Sequence, residues 1–278
     1  MSGAPPGVGR TALGAAMIRA VESRRADRLF DDPLAAGFLA AAPSVFGRPE
    51  RGAAAGLSGL SGAGAGFWTR VVLRTRFFDD YLLEAARRGV RQIVLLAAGL
   101  DTRAHRLAWP DGARVFEVDL PGVLEFKQRV LAARAAGPRG GSTPVPADLR
   151  EDWAAPLTAA GLRPDEPTAW LLEGLLIYLS ADEVVRLLTT IGGLSAPGSR
   201  VAFEFEDVDA ATLRERAARL PAVAEYAQLW RGGLPDAPLR LAAEGWETVS
   251  HSLSELAARH GRALPGEPSG GFLTATRL

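Results

Sequence analysis

Acidic side chains recur in this sequence directly after short apolar runs, a pattern typical of buried strands followed by functional turns. Asp119 ends the run RVFEVD, Asp148 follows a weaker run at 143–146, and Glu173 interrupts the apolar segment WLLEGLLIYL. A carboxylate at such a position can accept hydrogen bonds from ligand hydroxyls and amino groups, or pair with a positive charge. These acids therefore predict a binding site for a polar ligand.

The segment VLLAAGLDTR at 94–103 leads from an apolar run into a turn at Gly99, with a helix opening near Asp101. Glycine there would let a ligand approach the backbone. Asp119 follows Gly99 by 20 residues, the spacing at which an acid holds a ribose in nucleotide-binding α/β proteins. The G-x-G-x-x-G pattern is absent, which disfavours a pyrophosphate site and a nicotinamide oxidoreductase. A packing turn, with Asp101 as a helix cap and Asp119 as a plain strand-end acid, is the structural alternative.

The other two acids suggest complementary roles. Asp148 could accept a hydrogen bond from an adenine amino group, with the backbone amide of Leu149 beside it, although exposed loop acids are common. Glu173 lies in an apolar run, where a carboxylate is costly unless it is paired or faces a cationic ligand. Tyr178, five residues later, should reach the same cleft, and a buried ring with a bonded hydroxyl is its alternative.

Composition excludes several classes of function. The formal net charge is zero, which argues against a nucleic-acid partner, and the chain has no cysteine, which excludes disulfides and thiolate chemistry. The three histidines have no metal-ligand spacing, so we expect no metal site. No signal peptide and no apolar run of about 18–20 residues is evident, so we expect a cytoplasmic protein without a membrane partner.

The elements that must position these residues alternate between strands and helices. Strands are predicted at 92–97, 114–118, 143–146, 169–172, 200–205, 246–250 and 271–277. Helices are predicted at 68–88, 103–107, 121–135, 181–194, 210–218, 222–229, 239–244 and 254–260. This alternation predicts an α/β fold with a doubly wound, mostly parallel sheet, in which ligands bind beyond the carboxyl ends of the strands.

The amino-terminal part differs from the rest. A helix is predicted from Thr11, and Asp32-Pro33 should begin a short second helix. Residues 52–66 hold six glycines and five alanines and are predicted to form a flexible loop. We therefore divide the chain into a helical cap with its Gly/Ala-rich loop at 1–66 and a main domain at 67–278.

The strand-end segments, in this order, resemble the leucine carboxyl methyltransferase family, especially its bacterial branch of S-adenosylmethionine (SAM)-dependent O-methyltransferases. The segments RRADRLFDDP at 24–33, RTRFFDD at 74–80 and GWET at 245–248 are similar to further motifs of that branch. The resemblance extends over residues 10–278 except the Gly/Ala-rich loop. It implies the class I SAM methyltransferase fold, with seven strands.

The resemblance also implies roles for individual residues. Arg74 would bind the methionine carboxylate of SAM, and Gly99 would let the methionine part pass close to the backbone. Asp119 would hold the ribose, Asp148 and Leu149 the adenine, and Glu173 the region of the amino group and sulfonium. Arg24 matches, at a different spacing, a basic residue that closes over the cofactor. His105 stands where relatives tend to have tyrosine, so His105 and Tyr178 are the candidates for contact with the acceptor, a surface histidine being the alternative.

We therefore expect a methyltransferase acting on a carboxylate, or a hydroxyl, of a small secondary metabolite such as a polyketide acid. Aligning the acceptor oxygen with the methyl and sulfur is the main catalytic task, and an ionised carboxylate needs no base. Alternatives are an enzyme acting on a protein or peptide C-terminus, and a protein of this fold without methyl transfer. The sequence leaves the acceptor and the oligomeric state open.

Overall fold

A seven-stranded sheet forms the centre of the computed structural model, which describes residues 9–43, 63–139, 141–206, 210–218, 227–232, 236–265 and 270–278. Its strand order is β3-β2-β1-β4-β5-β7-β6, and only β7 runs antiparallel to its neighbours. The strands are β1 (Gln92–Leu96), β2 (Arg114–Asp119), β3 (Gly141–Pro146), β4 (Thr168–Leu172), β5 (Arg200–Phe205), β6 (Trp246–Ser252) and β7 (Gly271–Arg277). The predicted fold class is confirmed.

Helices cover both faces of the sheet, which is why β1 and β4 are apolar and buried along their whole length. The helices are α1 (Gly9–Glu22), α2 (Ala35–Ala41), α3 (Ala63–Arg87), α4 (Arg103–Arg106), α5 (Pro121–Ala132), α6 (Ala154–Ala159), α7 (Ala181–Gly193), α8 (Ala210–Ala218), α9 (Ala237–Ala243) and α10 (Leu253–Arg259). Helices α3, α4 and α10 pack on one face, and α6, α7 and α9 pack on the other.

The amino-terminal helices α1 and α2 pack against α5 and against Leu100, in the turn that follows β1. Asp32 accepts hydrogen bonds from the amides of Leu34 and Ala35, at 3.2 and 3.1 Å, and so begins α2. Arg19 of α1 pairs with Asp32 at 2.8 Å and donates to the carbonyl of Leu100 at 2.7 Å. The predicted helical cap is therefore attached to the first strand-to-helix turn of the sheet.

The structure differs from the prediction in three elements. Helix α3 begins at Ala63, so residues 63–66 are helical rather than part of the predicted loop. Gly66 permits a close approach there, since an added Cβ would lie 2.3 Å from the carbonyl oxygen of Pro265. Helix α6 and a 3-10 turn at Leu176–Tyr178 were not predicted, being too short for a periodic pattern. The rest of the Gly/Ala-rich stretch, and most of the helix predicted at 222–229, lie outside the described residues.

Candidate functional site

Four adjacent parallel strands, β3, β2, β1 and β4, end at the same edge of the sheet. Gly99 follows β1, Asp119 ends β2, Asp148 follows β3 and Glu173 follows β4. Asp119 pairs in register with Pro146, and the amide of Ala147 donates to the backbone carbonyl of Asp119 at 3.0 Å. The two acids predicted to hold a ribose and an adenine therefore lie on neighbouring strand ends.

The carboxylate of Asp119 is held by backbone amides. It accepts a hydrogen bond from Gly99 at 2.6 Å through Oδ2 and one from Leu120 at 2.7 Å through Oδ1. Burial raises its pKa, and the two amides only partly oppose that rise. Each carboxylate oxygen has a second lone pair, so Asp119 can accept two further hydrogen bonds in an orientation already fixed.

The turn between β1 and α4 contains two left-handed residues, Ala97 with φ 52° and Gly99 with φ 49°. A Cβ at Gly99 would lie 3.3 Å from the Cβ of Ala12. Glycine is thus required here by its φ and by the close approach of α1, a different reason from the ligand approach expected from the sequence. Ala97 adopts the same conformation with a methyl group, which costs about 1–2 kcal/mol.

Asp148 is more open than Asp119. Its carboxylate accepts hydrogen bonds from the guanidinium of Arg150 at 2.5 and 2.9 Å, and this pairing lowers its pKa. The side chain of Leu149 packs against the core on the α7 side of the sheet. Leu120 is 43% exposed at the neighbouring strand end, an apolar surface beside these polar groups. This arrangement suits a flat ring with a polar edge.

On the other side of β1, seven ionised side chains form what we call the charged cluster. It lies between α3, α4 and the ends of β1, β4 and β5. Its members are linked by ion pairs and hydrogen bonds and are Arg74, Asp79, Asp101, Arg103, Arg106, Glu173 and Glu204.

Arg103 is the central member of the charged cluster, with a side chain only 3% exposed. It binds Asp79 at 2.7 Å, Glu173 at 2.6 Å and, more closely, Asp101. Asp101 also accepts a hydrogen bond from the amide of Arg103 at 2.6 Å, so the helix-cap role considered for this residue is also present. Arg103 thus fixes the spacing of two carboxylates that follow β1 and β4.

Glu173 also lies against Arg74, with 2.8 Å between Oε1 and Nε. Arg74 donates from Nη1 to both oxygens of Glu204, at 3.1 and 3.3 Å, and Glu204 accepts a further bond from the amide of Gly174 at 2.6 Å. The buried Nε of Arg74 has no hydrogen bond of good geometry despite its short distance to Glu173. The structure therefore brings Arg74 and Glu173 together, as an ion pair.

Two of the carboxylates beside Arg103, those of Asp101 and Glu173, are held in the charged form. Burial by itself would raise the pKa of Asp101, but the positive charge of Arg103 and neighbouring cations lowers that pKa to about 2. Burial likewise opposes ionisation of Glu173, and Arg103 and Arg74 overcome it, so the pKa of Glu173 is lowered. Neither group is suited to take up a proton near neutral pH.

The remaining predicted residues differ in position. Tyr178 lies in the 3-10 turn that follows β4, and its hydroxyl has no hydrogen-bond partner among the described residues. His105 is turned elsewhere: its Nδ1 lies 3.1 Å from the carbonyl of Ala136, in the connection leading to the amino end of β3. Arg24 is exposed in the turn that follows α1, and its side chain makes no contact with the strand ends that is seen among the described residues. The structure brings neither His105 nor Arg24 to the strand ends.

Arg103 and Glu204 were missed in the sequence. A signal for Arg103 was present, since it follows Asp101 by two residues in the segment LDTR. Glu204 lies in the strand segment RVAFEF, where an acid among apolar residues is costly unless it is paired. Across the residues that the structure describes, no group of acids and histidines could hold a metal ion, and no helix is long and apolar enough to cross a membrane.

Proteins similar to this chain identify its family. A family model described as leucine carboxyl methyltransferase matches residues 12–192. A Frankia alni protein, named provisionally as an S-adenosyl-L-methionine-dependent methyltransferase, is 55% identical over 98% of this chain and 95% of its own length. A Streptomyces coelicolor protein with the same provisional name is 44% identical over 98% of this chain and 96% of its own.

A solved structure also shares the fold. The crystal structure of a provisionally assigned methyltransferase from Thermobifida fusca covers 95% of this chain and 94% of its own, with a TM-score of 0.52 and 20% identity. The motif resemblance, the match over 12–192 and the relatives together establish the family. The chain belongs to the leucine carboxyl methyltransferase family.

Proposed function

We propose that this protein is a SAM-dependent O-methyltransferase that methylates a carboxylate of a small secondary metabolite. The observation that carries the proposal is the alignment of Asp119, Asp148 and Glu173 at the ends of adjacent parallel strands around the Gly99 turn. Ligands of open α/β sheets bind at this edge. Family membership and the names of the relatives support SAM as the methyl donor.

The residues present fit SAM. Asp119, oriented by two amides, would accept hydrogen bonds from the ribose hydroxyls. Asp148 and the amide of Leu149 would form hydrogen bonds with the adenine. Glu173 would face the amino group and the sulfonium, and Arg74 would bind the methionine carboxylate through its second terminal nitrogen, Nη2, which makes no hydrogen bond within the described chain.

When bound, SAM supplies a methyl group on a sulfonium, which is already a good leaving group. The task of the chain is then to hold the acceptor oxygen in line, an effect that contributes up to about 7–11 kcal/mol in well-oriented reactions. Asp101 and Glu173 are poor bases because their pKa values are lowered, and His105 lies away from the strand ends. An acceptor that is ionised at neutral pH needs no base, which favours a carboxylate over a hydroxyl.

Tyr178 and Trp230 would line the acceptor side of the site, since both lie in or beside the 3-10 turn that follows β4. The amide of Arg231 donates to the carbonyl of Ile177 at 2.7 Å, which attaches the segment 230–232 to the 3-10 turn. The indole Nε1 of Trp230 is buried and has no hydrogen-bond partner in the part of the chain that the structure describes. A buried donor of this kind is costly unless a ligand supplies an acceptor, and an oxygen of the methyl acceptor would satisfy it. Arg24 and His105 are not assigned roles in this scheme.

The test has two stages. Calorimetric titration with SAM should give saturable binding at one site, and incubation with SAM and a panel of apolar carboxylic acids should give S-adenosylhomocysteine (SAH) and an ester 14 mass units heavier. Matched alcohols and phenols should react slowly or not at all. Methylation of peptides with a free C-terminus would support the protein-modifying alternative. SAM binding without turnover on any acceptor would identify a non-catalytic protein of this fold. Absence of SAM binding would overturn the proposal.

A further inference from the structure

The charged cluster contains one more carboxylate than guanidinium. Arg74, Arg103 and Arg106 are its cations, and it has four carboxylates, at Asp79, Asp101, Glu173 and Glu204. Among the described residues, nearby charged groups outside the cluster pair with one another, Arg19 with Asp32, Lys127 with Glu117 and Arg70 with Glu206, while Asp119 is held by backbone amides at the end of β2. The excess of one negative charge therefore belongs to the cluster itself.

This excess lies on the side of the cluster nearest the strand ends. Arg106 pairs with Asp79 within the cluster, at 2.6 Å through each terminal nitrogen. The two other guanidiniums share three carboxylates, which are Asp101 after β1, Glu173 after β4 and Glu204 within β5. The carboxylates of Glu173 and Glu204 are each only 15% exposed, so water screens their charge incompletely.

The charges of the methyl donor and of its product differ by one. SAM at neutral pH has a sulfonium, an ammonium and a carboxylate, a net charge of plus one. SAH has lost the sulfonium charge with the methyl group and is neutral overall. With SAM bound beside it, the charged cluster and its ligand together would have five positive and five negative charges. With SAH bound instead, one carboxylate would be left without a counterion.

We propose that Glu204 provides this excess charge and makes the site prefer SAM over SAH, so that the product is released readily. The inference rests on the proposed function. Glu204 suits the role because its position is fixed from two sides, by Arg74 and by the amide of Gly174, and no second cation among the described residues pairs with it. Glu204 acts here as a specificity-determining residue, distinct from the acids at the ends of β2 and β3.

The expected preference is about tenfold in dissociation constant. One unit charge at roughly 10 Å, in a medium with an effective dielectric constant of about 20, has an effect of that order. Removing the charge of Glu204 makes the cluster neutral, so that the neutral SAH no longer leaves an unpaired charge. The preference for SAM should then disappear or reverse.

The experiment compares three ligands by calorimetry: SAM, SAH, and the amine analogue of SAM in which a carbon bearing a protonated primary amine replaces the sulfur and its methyl group. Wild-type protein should bind SAM and the amine analogue about equally, and both about tenfold more tightly than SAH. Glu204→Gln should no longer bind SAM and the amine analogue more tightly than SAH, and Glu204→Asp should keep the preference. Glu84→Gln, which removes one carboxylate from the exposed pair with Arg87 on the same side of the sheet, should behave like wild type.

The outcomes separate this inference from the proposed function. Equal affinity of wild-type protein for SAM and SAH would overturn the inference while leaving a SAM site in place. A preference that survives in folded Glu204→Gln would assign the charge effect to another residue and overturn the role of Glu204. Failure of all three ligands to bind would overturn the proposed function together with the inference. The wild-type comparison needs no variant, so it decides the charge effect even where a variant fails to fold.

Discussion

The two sides of the strand-end site differ in how their carboxylates are held. On the side of β2 and β3, Asp119 is oriented by two backbone amides and Asp148 by a partly exposed arginine. On the side of β4 and β5, Glu173 and Glu204 belong to a nearly buried network of ion pairs centred on Arg103. The first side is built to accept hydrogen bonds from neutral groups, and the second to balance charge.

This difference follows from the elements behind each side. The β2 and β3 ends are backed by the β1 turn, in which the amide of Gly99 donates to Asp119. The β4 and β5 ends face α3 and α4, which contribute Arg74, Asp79 and Arg103. A buried carboxylate requires a counter-charge, and only helices that cross the sheet at this point can supply it. The comparison predicts that the two sides respond differently to substitution.

The largest effect is expected from Arg103→Met. Removing this guanidinium leaves Asp79, Asp101 and Glu173 buried with too little positive charge, so the unfolding free energy should fall by about 3–5 kcal/mol. Urea unfolding monitored by circular dichroism measures the loss. Arg87→Met, in an exposed pair with Glu84, is the matched control and should change little. A loss below about 1 kcal/mol for Arg103→Met would contradict the structural importance assigned to the charged cluster.

On the other side, Asp119→Ala should weaken SAM binding about 10- to 100-fold, since hydrogen bonds to a charged group are worth roughly 1.5–3 kcal/mol. The fold should persist, because Asp119 lies at the edge of the sheet and lacks a buried ion-pair partner. Calorimetry and thermal unfolding are the measurements, with the exposed Asp111→Ala as control. Unchanged affinity would remove Asp119 from the binding site.

The pH dependence of stability sharpens the comparison. The pKa of Asp101 is about 2 in the folded protein against an ordinary value of 3.8, which corresponds to roughly 2 kcal/mol of stabilisation. A lowered pKa means that this contribution is present above about pH 4 and is lost as the pH falls toward 2. Wild-type protein should therefore exceed Asp101→Asn in unfolding free energy at pH 6, and the difference should shrink at pH 3. A constant difference between these pH values would contradict the ionised state of Asp101.

The smallest effect is expected at Ala97. Alanine is strained in the left-handed conformation of residue 97 and glycine is not, although glycine has more entropy in the unfolded chain. The first effect is the larger, so Ala97→Gly should stabilise the protein by up to about 1 kcal/mol. Thermal unfolding measures the gain, and Ala155→Gly, at an ordinary helical position in α6, should destabilise instead. Equal destabilisation by both substitutions would show that the turn at 97–99 carries no strain.

Much of the site could be read from the sequence because strand-end positions follow from apolar patterning. The runs ending near Gly99, Asp119 and Asp148 identify three adjacent strands, and parallel order places their ends together. Arg103 and Glu204 could not be assigned in this way, since their importance depends on packing between α3, α4 and β5. His105 and Arg24 were selected by likeness to relatives, and the side-chain direction that separates them from the strand ends is a property of the folded chain.

The sequence by itself determined the order of strands and helices, the parallel sheet and the acids at its carboxyl edge. Those features depend on local periodicity and on where apolar runs stop. Only the tertiary structure decided which acids are open to a ligand and which are neutralised by arginines from distant helices. Charge pairing between residues 24 to 130 positions apart, as in Arg103 with Asp79 and Arg74 with Glu204, arises from packing and has no local signature.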